Sequence, residues 1–179
     1  MPELVLPILL VIHGVLGGLD TLLNHELIER LPQRADARTE IGLHAIREAI
    51  YGSLFLGLAW FAWHGYAAAA IAALVAAEVL VTACDELVEN RTRLLPQNER
   101  VMHVVLTLNL GLLVAVLTPL LLEWSSAETA WVPLQYGWLS WALSALGVAA
   151  GVWSIRDAIA WVRLGAAPMQ ARAAGDTAK

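Results

Sequence analysis

Cysteine is almost missing: Cys84 is the only one in 179 residues. A single thiol excludes an internal disulfide and a thiolate metal cluster, and its default role is that of a small packing residue. Charge is scarce as well. Asp, Glu, Lys and Arg make up 15% of the chain, where a soluble domain carries about 25%, and 59% of the chain is hydrophobic. No basic stretch is interleaved with aromatics, so nucleic acid is not expected as a partner. No basic cluster precedes the first apolar run, and no small-residue cleavage site follows it. That run is therefore expected to be retained rather than cleaved. The net charge of -5 says little about partners, because where the charges sit matters more than their sum.

What the chain has instead is a series of apolar runs, several near the roughly 20 residues that a bilayer-spanning helix needs. The pattern predicts an all-α polytopic membrane protein with five transmembrane helices, at about 4–31, 37–63, 66–95, 99–122 and 131–164. They form one domain over 1–165, followed by a small, polar, flexible tail over 166–179. Pro32 and Pro96 end the first and third helices, since proline disfavours helix in the residue before it. Asp36 and Asn98 are candidate caps for the second and fourth.

Basic residues set the expected topology. Arg30, Arg34, Arg38, Arg91, Arg93 and Arg100 all fall on one side, with Arg163, Arg172 and Lys179. None lies near Gly65 or in 123–130. The positive-inside rule puts the basic side in the cytoplasm and the N-terminus outside. The expected location is a plasma membrane, of a bacterial inner-membrane type. Trp60, Trp63, Trp124 and Trp131 fall at the opposite face, as an interfacial belt does.

The ionisable residues inside the apolar runs are not scattered. Glu40, His44 and Glu48 are at i, i+4 and i+8, one face of a helix. A shift of 59 places Glu40, His44, Glu48 and Gly52 on Glu99, His103, Thr107 and Gly111. A shift of 65 places His13, Asp20 and Asn24 on Glu78, Asp85 and Glu89. Leu31-Pro32-Gln33 answers Leu95-Pro96-Gln97. The chain therefore reads as two repeated helical hairpins, about 4–63 and 66–122, related by a pseudo-two-fold axis along the membrane normal. The fifth helix stands outside the repeat.

In this arrangement four helices aim polar side chains at one axis, in layers reaching on the order of 10–12 Å into the bundle at about 1.5 Å per residue. Asn24, Glu89, Glu40 and Glu99 form the layer nearest the cytoplasm. Asp20, Asp85, His44 and His103 form the middle, and His13, Glu78, Glu48 and Thr107 the deepest. An ionisable group near the bilayer centre costs about 2.5–3.5 kcal/mol even on insertion scales. Clustered carboxylates also repel one another or must hold protons. Two divalent cations would relieve both costs, because carboxylate and imidazole suit iron, manganese and zinc.

At pattern level, residues 13–107 resemble the ferritin-like di-iron carboxylate proteins. Those place a Glu on two helices and a Glu-x-x-His motif on the other two. Here the order is Asp20, then Glu40 with His44, then Asp85 or Glu89, then Glu99 with His103. Two departures stand out: the spacing is Glu-x-x-x-His, and Asp replaces Glu on the first and third helices. The resemblance implies two metal ions, iron above all, held among Asp20, Glu40, His44, Asp85, Glu89, Glu99 and His103. It implies oxidase, hydroxylase or desaturase chemistry on a lipophilic substrate, with a possible electron-donor protein as partner. His13, Glu48 and Glu78 are then expected to orient ligands or carry protons.

Other readings compete. His44 and His103 could be axial ligands of a haem electron carrier, which leaves the acids without a role. The same ligands could serve a di-zinc lipid hydrolase. Proton or metal-ion transport needs polar groups through the whole membrane, and the outer halves of the second and fourth helices are apolar. A purely structural core is the plainest alternative, with Arg47 neutralising Glu48 or Glu78. His25, Glu26 and Glu29 are expected to be solvated, His64 interfacial and Tyr51 a packing residue. Arg156 and Asp157 either close the site or pair with each other.

Overall fold

The computed structural model describes residues 4–176, with side chains through residue 166. The chain is built of helices, five of them long. Helix α1 spans Val5–Asp20 and runs on as a π-helix over Thr21–Ile28. Arg30 then takes a left-handed backbone (φ 51°), and Leu31–Gln33 and Ala35–Ala37 make two single 3₁₀ turns. Helix α2 spans Arg38–Trp60, α3 Tyr66–Thr92, α4 Gln97–Ser125 and α5 Trp138–Asp176. Among the described residues, Val5–Ile28, Tyr66–Thr92, Gln97–Ser125 and Trp138–Ala166 are long and apolar enough to cross a membrane. Of the tail expected over 166–179, residues 177–179 lie outside the described residues, as do the side chains from 167 on.

Several boundaries differ from the sequence-based expectation. The second helix stops at Trp60, and Phe61–Trp63 forms a strand, β1. It pairs antiparallel with a second strand, β2, Trp131–Pro133, in the register Phe61↔Pro133, Ala62↔Val132 and Trp63↔Trp131. The fifth helix therefore begins at Trp138 rather than near 131. Pro133 disfavours helix at Val132, and Gly137 takes a positive φ of 62° just before the helix starts. The ribbon is drawn against the start of α3 at Gly65. There φ is 60°, and a Cβ would lie 2.6 Å from the Thr129 backbone, so only glycine fits. Neither expected cap is used. Asp36 sits in a 3₁₀ turn and accepts hydrogen bonds from Arg34. Asn98 lies inside α4, and its amide donates to Asn24 Oδ1 at 2.7 Å.

The helices form a closed ring in the order α1, α5, α2, α3, α4 and back to α1, with α1 and α2 scarcely touching. The fifth helix is thus not outside the bundle: it is wedged between the two helices of the first hairpin. Small residues allow this. A Cβ at Gly52 of α2 would lie 3.2 Å from the Gly147 carbonyl oxygen and 3.3 Å from the Gly151 nitrogen of α5. At Gly14 of α1 a Cβ would meet Leu146 of α5 at 2.9 Å.

The end of the ring near the ribbon is packed with apolar side chains. Leu6, Leu10, Leu54, Phe55, Leu58, Ile71, Leu113 and Leu117 are all buried there. The four tryptophans expected as a belt gather at this end: Trp63 meets Trp131 with ring centroids 5.9 Å apart, and Trp60 Nε1 donates to Ser144 Oγ at 2.8 Å. The outer surface of the spans is apolar too, with Ile8, Leu108 and Val152 among its exposed residues, and Cys84, expected to be buried in packing, is exposed as well. That suits a lipid solvent, which satisfies no backbone polar group and so favours helices.

Candidate metal centre

The other half of the ring holds the polar residues. His13, Asp20, Asn24, His25, Glu40, His44, Glu78, Asp85, Glu89 and Glu99 are all buried. A soluble core rarely buries so many ionisable groups unpaired. Each helix brings one face: Glu40 and His44 are one turn apart on α2, and Glu99 and His103 repeat this on α4.

Two groups of possible ligand atoms form, each spanning no more than 4.8 Å. One comprises His25, Glu89, Glu99 and His103, the other Glu40, His44 and Glu89. Glu89 belongs to both. A first-row ion holds nitrogen and oxygen ligands at about 2.0–2.2 Å, so each group would have to draw in around a bound ion. Several donor atoms complete no hydrogen bond and meet only ion-pair partners. Nε2 of His25, His44 and His103 and both Glu89 carboxylate oxygens are of this kind, with Glu89 standing 3.2 Å from His103 Nδ1 and 3.6 Å from Arg93. Orphaned buried acceptors of this kind are costly unless something binds them, so the residues present fit a pair of metal ions.

Asp20 and Asp85, also expected among the ligands, fall in neither group but face imidazole nitrogens. Asp85 lies 3.3 Å from His44 Nε2 and Asp20 lies 3.3 Å from His103 Nε2. Asp20 also accepts a hydrogen bond from Asn24 Nδ2 at 2.6 Å. Because they meet the same nitrogens that are free of hydrogen bonds, the two acids stand where an ion shared with the histidines would meet them too.

His25 was expected in solvent and is 5% exposed. On an α-helix it would lie about 140° round from Asp20, at about 100° per residue. The π-helix changes this. Its bonds run i→i+5, as from Glu29 N–H to the Asn24 carbonyl at 2.8 Å, so a residue five positions on falls over its predecessor. His25 therefore joins Asp20 (3.6 Å), Glu99 (3.5 Å) and His44, on which its ring stacks. Its neighbours are charged but also not solvated as expected: Glu26 pairs with Arg156, and Glu29 accepts from Arg34 at 2.7 Å.

Two arginines enter the centre. Arg47 donates toward Asp85 at 2.9 Å and Glu78 at 3.4 Å, so the pairing expected of it is with Glu78 and not Glu48. Arg93, expected as an exposed cytoplasmic charge, turns inward from the short link between α3 and α4. It binds Glu40 at 2.8 Å and Glu99 at 2.5 Å, and its side chain is 6% exposed. Burial opposes its charge, but the hydrogen bonds to Glu99 and Glu40 outweigh that and raise its pKa further above the usual guanidinium range. In sequence, only its place six residues before Glu99 hinted at this role.

No protein-family model matches this chain, and no curated protein or solved structure is significantly similar to it.

The deeper layer lies nearer the apolar half. His13 meets the Asn109 amide at 3.0 Å and stacks on Tyr51, ring centroids 4.4 Å apart. Glu78 accepts from Thr82 Oγ1 at 3.0 Å. Glu48 stands off both ligand groups, lines the central cavity, and keeps Oε2 buried without a partner. Tyr51 was expected only to pack, and its hydroxyl too is buried and unpartnered. Arg156 and Asp157 pair with each other, with Glu26 as the third member.

Charge balance bears on the chemistry. Among the described residues, six buried carboxylates of the centre (Asp20, Glu40, Glu78, Asp85, Glu89 and Glu99) face two guanidiniums, Arg47 and Arg93, and Glu48 on the cavity adds a further acid. The acids outnumber the guanidiniums, and divalent cations would offset the excess. Protonating the three histidines instead would put two imidazoliums in a stack 4.4 Å apart. Their repulsion is about 4 kcal/mol at an effective dielectric of 20. Neutral imidazole, the metal-binding form, avoids that cost.

Proposed function

We propose that the chain is a membrane-embedded di-metal carboxylate protein that acts as an oxidoreductase on a lipophilic substrate. Iron suits the centre best, with manganese or zinc as alternatives. The observation that carries this reading is Glu89, which belongs to both ligand groups and whose carboxylate oxygens complete no hydrogen bond. Bound there, the metal pair would supply redox and Lewis-acid chemistry. The chain's own residues have distinct tasks. Asp20 and Asp85 add carboxylates against His103 and His44, and Arg47 holds Asp85 and Glu78 in place. Glu48, Glu78 and Tyr51 line the cavity with groups able to accept or pass a proton.

All five helices cross the membrane in this reading, α2 being carried by its neighbours despite the charges in its first half. The polar end faces the cytoplasm, where a donor protein would dock, and the tryptophan end faces outward. The two-hairpin repeat finds support in burial: His13 and Glu78, Asp20 and Asp85, Asn24 and Glu89, and Leu31 and Leu95 are all buried pairs. The apolar packing at the tryptophan end favours a site open to one side over a transport path. Haem is disfavoured because the central cavity, about 240 Å³, is below the range of about 300–1,000 Å³ usual for drug-sized ligands.

Metal analysis of detergent-purified protein tests the reading, with about two ions expected per chain. Folded wild-type protein that carries no metal after growth with iron, manganese and zinc would sink it. One observation favours a second reading, a purely structural polar core: Arg93 already bridges Glu40 and Glu99. Metal-free protein with undiminished thermal stability would favour that reading.

A further inference from the structure

The cavity beside the centre has a mouth. Its lining includes Gly17, Gly18 and Leu22 of α1 with Ala149 and Trp153 of α5, and Gly18, Leu22 and Ala149 are exposed on the outer surface of the ring. A Cβ at Gly17 or Gly18 would meet nothing within 4 Å, whereas one turn earlier, at Gly14, α1 and α5 close against each other. The missing side chains thus leave a slot from the lipid-facing surface to the polar core.

The interior asks for particular chemistry. Glu78 is 1% exposed and Tyr51 6%; both line the cavity, and Glu78 Oε2 and the Tyr51 hydroxyl each lack a hydrogen-bond partner. Trp153 Nε1 and Glu48 Oε2 are further buried polar atoms on the cavity with no hydrogen-bond partner. Arg47, the guanidinium on this cavity, is paired with Asp85 and Glu78, although its Nε completes no hydrogen bond. An anionic headgroup would therefore face Glu48, Glu78 and Asp85 and one guanidinium whose charge two of them already offset. A neutral headgroup that donates a hydrogen bond would satisfy Glu78. Size narrows the choice: an engineered cavity of about 150 Å³ holds one benzene, so about 240 Å³ holds one substituted ring and no two-chain lipid headgroup.

We propose that this cavity binds the ring of a phenol or hydroquinone amphiphile, which enters from the bilayer through the slot between α1 and α5. The ring hydroxyl donates to Glu78 and meets Tyr51, and the alkyl tail leaves past Gly17 and Gly18. This deepens the function proposed above and rests on its placement of the chain in a membrane.

The test is equilibrium binding of a decyl-substituted hydroquinone to the full chain in detergent, under argon, with metal content measured on the same samples. Wild type and Gly111→Leu are expected to bind alike, since a Cβ at Gly111 also meets nothing but lies off the cavity. Gly17→Leu/Gly18→Leu adds side chains at the slot, where a Cβ meets nothing, and is expected to weaken binding by about tenfold or more, with metal content unchanged. Tyr51→Phe is expected to weaken it about fivefold. A decyl phosphate competitor is expected to have no effect. Metal-loaded wild type that does not bind, equal binding by the slot variant, or displacement by decyl phosphate would each overturn the proposal. Binding by metal-free wild type would support the cavity while removing the metal reading.

Discussion

The His25 ring stacks on the His44 ring, centroids 4.4 Å apart and planes within 7° of parallel. One ring belongs to the four-residue ligand group and the other to the three-residue group, so the stack sits where the two groups meet. It also joins the π-helix after α1 to α2, two segments that otherwise have little contact.

The two groups make different demands on single residues. His25→Ala is expected to lower metal content from about two ions per chain to about one, and His44→Ala to do the same from the other side. Glu89→Ala is expected to remove both. Metal stoichiometry by mass spectrometry reads this directly. Equal losses in all three variants would mean that the groups do not act as two sites.

Arg93 offers a sharper contrast. Arg93→Met leaves Glu40 and Glu99 buried without their cation, and breaking a buried pair from one side costs about 3–5 kcal/mol. Thermal unfolding of chelator-treated protein should show this as a clear drop in midpoint. Divalent metal is expected to recover part of the loss, because it brings positive charge to the same carboxylates. Loss of stability without any rescue by metal would argue that Arg93 and a cation do not share these ligands.

Gly52 and Gly111 occupy matching places in the two hairpins but different surroundings. Gly52 lies against the α5 backbone, while a Cβ at Gly111 meets nothing within 4 Å. Gly52→Leu is expected to push α2 from α5 and cost at least about 1–3 kcal/mol. Gly111→Leu is expected to be neutral. Midpoints of thermal unfolding in detergent compare the two, and similar values would contradict the ring order.

At the connector before α2, Arg34 holds Asp36 by hydrogen bonds of 3.2 and 2.8 Å, which depress the Asp36 pKa. A carboxyl with a depressed folded pKa stabilises above its unfolded pKa, and that contribution is lost as pH falls through the folded value. Asp36 is 62% exposed and Arg34 32%, so solvent screens the pair and the contribution should be below about 0.5 kcal/mol. Asp36→Asn is expected to leave the unfolding midpoint near neutrality almost unchanged, with the small difference from wild type vanishing in acid. A shift of several degrees at neutral pH would show a larger role for this turn.

Much of the centre could be read before any coordinates. Glu40, His44, Glu99, His103, Glu89 and Glu78 recur at helical spacing in apolar segments, and an ionisable group is kept in such a place only if something there satisfies it. The same spacing placed Asp20 and Asp85 on the correct face. It could not say which acids gather round which histidines, because that depends on distances between helices.

What spacing could not supply has a common cause. Helical periodicity assumes 3.6 residues per turn and describes one segment at a time. His25 was hidden because the turn widens to a π-helix, and Arg93 because an extended link turns its side chain back onto Glu40 and Glu99. The ribbon of β1 and β2 joins residues some seventy positions apart. The place of α5 between α1 and α2 follows from close contact of Gly52 with Gly147 and Gly151, a fit of shapes across about a hundred residues. Apolar character and the spacing of polar groups are local and were written in the chain. Which helices adjoin, which acid meets which base, and where the ring leaves an opening depend on packing the whole chain at once.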